Sequence, residues 1–138
     1  MTQKIGFLAG NFDVFHPGYI RMFEDSKSVC DFLVVGLHAD PSLERPEKFK
    51  PILTVAERIE MLMAIRFVDQ ILVYKTEADL VNLLGQINPD VRILGSDYNG
   101  RGYTGDHLGI PIHYHVRDHQ WSTTKFKKEI AKSLIDRL

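Results

Sequence analysis

Gly10-Asn11-Phe12-Asp13-Val14-Phe15-His16-Pro17-Gly18-Tyr19 decides how the rest of this 138-residue chain reads. The run before it, Ile5-Gly6-Phe7-Leu8-Ala9, is apolar without polar alternation, the pattern of a strand covered on both faces. Pro17 suits a first helical turn, where its missing N–H costs nothing. A strand over 4–10, a loop over 10–16 and a helix over 17–29 are therefore expected. Two glycines, a carboxylate, an imidazole and a helix N-terminus meet at the carboxyl end of that strand. In an open α/β sheet this is where phosphates bind.

Working outward, Asp31 to His38 reads as a second strand, again almost wholly apolar. Residues 39–53 carry Pro41, Pro46 and Pro51 with charges between them, so they form a long surface loop. Loops of that length are usually functional. Thr54-Val55-Ala56-Glu57 is a capping box and opens a helix over 54–66, with Ile59, Leu62, Met63 and Ile65 or Phe67 inward. A strand over 69–74 follows, then a helix over 77–87 stopped by Asn88-Pro89. Strands over 91–94 and 110–116 flank a Gly- and Asp-rich loop, and a last helix opens at Ser122-Thr123-Thr124. Alternating strands and helices predict one domain over 1–138. Its class is α/β: a doubly wound, mostly parallel, five-stranded sheet of Rossmann type. The ligand is expected at the switch point between the first and fourth strands, among loops 10–16, 39–53, 95–109 and 117–122.

Composition narrows the partners. Hydrophobic residues at 44% and a net charge of -1 suit a globular domain with no global attraction to nucleic acid or anionic membrane. The longest apolar runs are strand-length and no signal peptide is read. The single cysteine, Cys30, reads as a small buried residue and fits a reducing, cytoplasmic setting.

Taken alone, His16 is either a solvated loop residue or a phosphate donor. Asp13 reads first as a turn former bonding its own loop backbone, and second as a group that positions a metal–phosphate pair. Ser122, Thr123 and Thr124 can cap a helix and bind phosphate at once. Lys125, Lys127 and Lys128 read mostly as a solvated helix face. His113 and His115 share a strand face, but a zinc site would also need His107 or His119.

The opening stretch resembles the G-x-F-D-x-x-H-x-G-H signature of the cytidylyltransferase-like nucleotidyltransferases. Arg117 with Trp121-Ser122-Thr123-Thr124 resembles that family's R-x-x-x-I-S-T-T segment. Arg66-Phe67-Val68-Asp69 and Leu94-Gly95-Ser96-Asp97-Tyr98 are similar to segments of the glycerol-3-phosphate cytidylyltransferases. The resemblance implies that a substrate phosphate attacks the α-phosphorus of a nucleoside triphosphate, most simply CTP, with Mg²⁺, and expels pyrophosphate. It implies catalytic roles for His16, Arg117, Tyr19 and a loop lysine, with Lys50 ahead of Lys48. It implies nucleotide contacts at Gly10, Asn11, Phe12, Asp13, Gly18, Gly95, Asp97 and Ser122 to Thr124, and acceptor contacts at Asp40, Tyr98 and Arg101. Related branches use ATP, and relatives associate as homodimers. Three residues depart from the pattern: Tyr19 replaces the second histidine, Ser96 an acidic residue, and Trp121 a small or aliphatic one. The Tyr19 exchange leaves two expectations side by side, an active transferase or a nucleotide-binding module that has lost catalysis.

Overall fold

The structure is a computed structural model and describes residues 3–137. Its strands are β1 (Ile5–Gly10), β2 (Phe32–His38), β3 (Gln70–Tyr74), β4 (Val91–Gly95) and β5 (Ile112–His115). Its helices are α1 (Pro17–Lys27), α2 (Val55–Met63), α3 (Glu77–Ile87) and α4 (Thr123–Ile135). All five strands are parallel, in the order β3-β2-β1-β4-β5. The order reverses between β1 and β4, which is the switch point expected from the alternation.

The two sheet faces are built from opposite side-chain sets. Leu8, Val35, Leu37 and Ile93 face α1 and α2, where Phe23 and Leu62 complete a core. Phe7 and Val34 face the other way, against Leu80 and Leu84 of α3. Registered parallel partners share a face, so Arg92, paired with Phe7, lies on the α3 side. The small floor there is made by Ala9 and its partner Gly36, where an added Cβ would stand 2.6 Å from the Phe7 ring.

The helix stops follow the local chemistry. Thr54 Oγ1 accepts from the Glu57 N–H, and the Thr54 N–H donates back to the Glu57 carboxylate, as the capping box requires. Asn88 ends α3 in the left-handed region at φ 48°. Two expectations about α2 fail. The helix ends at Met63 rather than 66, because tight turns at Ile65 and Val68 close the chain toward β3. Met63 is exposed, and the inward stripe instead contains Arg58 beside Leu62.

Candidate active site

The loop after β1 turns sharply at Phe12, whose φ of 46° is unusual for a bulky side chain. The ring is held in the core, 5.4 Å from Phe23 and 5.3 Å from Tyr19 between centroids. That turn aims Asp13 inward, where it is fully buried. Its carboxylate accepts from the N–H groups of Ile52 and Leu53, each at 2.8 Å, and from Lys127 Nζ at 2.6 Å. Asp13 therefore neither closes its own turn nor holds a free oxygen for a metal. It ties the first loop to the 39–53 loop and to α4. Lys127 is correspondingly no solvated lysine. Burial alone would raise the Asp13 carboxyl, but Lys127 and the two N–H groups outweigh it and hold it below the usual range.

Arg58 does the same work with the opposite charge. Its guanidinium donates to the carbonyls of Leu53, Asn11, His38 and Ala39, at 3.2, 2.9, 2.8 and 2.6 Å. One side chain thus fixes the ends of β1 and β2 and the entry to α2. Its signal in the sequence was a cation inside an apolar helical stripe, three residues after Val55 and four before Leu62.

His16 sits at the mouth of this frame as the N-cap residue of α1. Its Nε2 lies 3.2 Å from Thr123 Oγ1, across 107 residues of sequence. The Tyr19 hydroxyl meets the same Thr123 oxygen. One hydroxyl proton and two lone pairs let Thr123 serve both partners. The imidazole is stacked between two aromatics: Tyr19 at 4.1 Å and 17°, and Trp121 at 5.5 Å and 9°. Gly18 makes the sandwich possible, since a Cβ there would stand 2.6 Å from Trp121 Cβ and 2.9 Å from the His16 ring. His16 Nδ1 is buried without a partner. Such an atom suits a ligand oxygen brought to it.

Burial lowers the His16 pKa from its ordinary 6.5, and the nearby His119 and Arg117 push the same way. His119 is lowered in turn by burial, His115 and Arg21, with Asp118 opposing. The unfolded chain then takes up protons first. The stabilisation is fully present above pH 6.5 and is lost as pH falls through the folded pKa values. The melting temperature should therefore drop between pH 7 and 5, and His16→Asn should flatten that slope. Identical slopes would show that His16 does not titrate in this window. Asp13, Asp25 and Asp69 are all held below 3.8, against the desolvation that burial imposes, so their share is lost only in stronger acid.

One cleft of about 1070 Å³ runs along the carboxyl ends of the strands. It is lined by the expected Gly10, Asn11, Phe12, His16, Gly18 and Tyr19, by Gly95 and Tyr98, and by Arg117 with Ser122, Thr123 and Thr124. Ser122 caps α4 by accepting from the Lys125 N–H at 3.1 Å. Of the two loop lysines, Lys48 lines the cleft, while Lys50 lies near Asp40 outside it. Asp40 is spent capping a short 3-10 turn over Pro41–Leu43. Arg101 and Asp97 are exposed and off the lining, and Asp97 approaches Arg117 Nη2 at 3.5 Å.

The histidines of β5 face α1, where Asp25 takes both: His113 Nε2 at 3.1 Å and His115 Nδ1 at 2.8 Å. His119 Nε2 stands 3.3 Å from His115 Nε2, while its Nδ1 accepts from the Trp121 N–H at 3.1 Å. This chain of rings braces the 117–121 loop and does not gather His107. Among the described residues the one group spaced for a metal is His38, Glu44 and Glu77. Glu77 is paired with Arg45, and Glu44 is bonded to the Glu77 N–H. Both Asp13 oxygens are engaged, so that carboxylate does not fit a protein-held magnesium ion.

Residues 7–132 match the family model described as cytidylyltransferase-like. The chain is 39% identical over 103 residues to the bifunctional protein HldE of Hyphomonas neptunium, covering 74% of this chain and 21% of that protein. It is 30% identical over 135 residues to the HldE of Helicobacter pylori, covering 97% of this chain and 29% of that protein. The chain thus spans less than a third of the length of these relatives. Among solved structures it is similar to a lipopolysaccharide core biosynthesis protein from Thermoplasma volcanium, with a TM-score of 0.68 and 24% identity over 88% of this chain and 100% of the other. It shares its fold with a pantoate-beta-alanine ligase from Francisella tularensis, at TM-score 0.60 and 17% identity over 86% of this chain and 60% of that one.

Proposed function

The chain belongs to the cytidylyltransferase-like family, and from that premise we propose that it transfers a nucleoside monophosphate, CMP from CTP, to a small phosphorylated or phosphonylated acceptor such as glycerol 3-phosphate. The observation that carries this reading is the meeting of His16, Tyr19 and Thr123 at the β1–β4 switch point, from opposite ends of the sequence. A phosphate monoester is already anionic at pH 7, so its attack on the α-phosphorus needs no protein base. The difficulty is to bring two anions into line and to neutralise the charge that builds on the leaving pyrophosphate. His16, Thr123, the N–H groups opening α4, Arg117 and Lys48 line one cleft and are of the chemistry that does this. A Mg²⁺ carried in on the nucleotide phosphates, with no ligand from Asp13, would add charge neutralisation there.

Tyr19 keeps a hydrogen-bond donor where the signature has histidine, and burial raises its pKa further, with Thr123 opposing. It therefore stays neutral at pH 7 and contributes a hydroxyl, not a charge. Among the described residues no helix is long and apolar enough to cross a membrane.

The test is a thermal-shift series with CTP, ATP, UTP and GTP, each with Mg²⁺. CTP should raise the melting temperature most, and a ligand at 100 times its Kd stabilises by about 2.7 kcal/mol. Pyrophosphate release with a panel of small phosphates then reads the transfer. A shift with ATP alone would move the base assignment to adenine. No shift with any nucleotide would remove the reading.

A further inference from the structure

The cleft has a second half that the nucleotide machinery does not use. His16, Tyr19 and Thr123 gather on the α1 side, at the edge of the face that carries Leu8 and Val35. Across the sheet, on the α3 side, Arg92 also lines the cleft. It is 4% exposed. Its Nη1 donates to the Thr104 carbonyl, and its guanidinium lies 5.3 Å from the centre of the Tyr103 ring. Its Nε is sealed from solvent and has no partner. Among the described residues no carboxylate pairs with it. The acid that faces it, Glu77, is taken by Arg45 at 3.2 Å.

A buried guanidinium without a counter-charge is costly, and proteins ordinarily pair such groups or give them a ligand. Here the surroundings also leave room. Ala9 supplies a small floor, and Tyr74 and His38 stack 4.6 Å apart beside it. Gly105, at φ 82°, brings the 95–109 loop in so closely that a Cβ would stand 3.2 Å from Arg92 Nη1. The arginine is therefore held in place by packing rather than by charge.

We propose that Arg92 anchors an anionic group of the acceptor, a pair of oxygens from a phosphate or a carboxylate, on the α3 side of the cleft. This rests on the transferase reading, because it assigns the His16 half to the nucleotide and leaves the Arg92 half to the other reactant. The planar fork of arginine matches two anionic oxygens.

The test uses the full chain and reads Arg92 itself. Its Nε–H resonance, assigned through its own backbone, is followed while inorganic phosphate or, separately, malonate is added. The signal should move saturably: with phosphate for a phosphorylated end, with malonate for a carboxylate end. Arg92→Lys, which keeps the charge and loses the fork, should weaken that binding by about tenfold, followed in both proteins on the backbone N–H of Gly105, which packs against the guanidinium. If neither anion moves the signal at about 20 mM, well above the ~1 mM of a weak site, the assignment is wrong. It is also wrong if the lysine variant binds as tightly as the parent. Pyrophosphate release is not measured here, so a negative result leaves the nucleotide reading standing, and an absent transferase activity leaves the anion result standing.

Discussion

Arg58→Met should cost the fold about 3–5 kcal/mol, because it removes the donor of a buried hydrogen-bond network. Methionine has nearly the right length and fills the space, so the loss isolates the hydrogen bonds. Four carbonyls, at residues 11, 38, 39 and 53, lose their donor together. Each buried acceptor left unsatisfied costs about 1–3 kcal/mol, though relaxation admits water to some of them. Against a typical total of 5–15 kcal/mol, the variant stands at the edge of folding. Urea unfolding reads this as a lower midpoint. Arg58→Lys should recover only part, since three ammonium donors on one atom cannot span carbonyls on three segments. A midpoint change worth less than about 1 kcal/mol would mean that the network merely follows the fold.

His16→Ala should lower kcat by about 10²–10³ with little change in the nucleotide-induced thermal shift. That is the usual loss for one preorganised donor to a developing anion. The alanine also frees Thr123 Oγ1 from one partner and leaves Trp121 without its stacking face. Tyr19→Phe keeps the ring on His16 and removes only the hydroxyl, so about a tenfold loss is expected. The pair separates two roles. If Tyr19→Phe matches the parent while His16→Ala is inactive, the tyrosine serves as packing alone. If His16→Ala keeps its pyrophosphate release, the imidazole takes no part in the transfer.

The fold was legible because unbroken apolar runs mark covered strands, while helical spacing and capping boxes mark the helices between them. β1 and β2 read as covered strands, and both the switch point and the parallel crossovers follow from alternation. His16, Tyr19 and Thr123 were legible as motif residues, being tied to a strand end and to a helix start. Arg58, Asp13, Lys127 and Arg92 were not legible, for a shared reason. Each is a charged group held by other segments of the chain, so local chemistry predicts a solvated or turn-forming residue. Its place in the loop predicts an Asp13 that closes its own turn, yet its bonds reach Ile52, Leu53 and Lys127. Met63 failed in the opposite sense, an apolar residue left in solvent because α2 ends there.

The ion pair between Asp13 and Lys127 joins residues 114 apart. During synthesis, at roughly 5–20 residues per second, the first loop leaves the ribosome many seconds before its counter-charge exists. Until then Asp13 can hold only the two N–H groups of the 39–53 loop, and Thr123 is missing from His16 and Tyr19. A chain stopped short of Lys127 would have all five strands but not the ion pair that ties α4 to the first loop. If the proposed clamp is the nucleotide site, competence to bind is a late event in the life of the nascent chain, conferred when α4 docks.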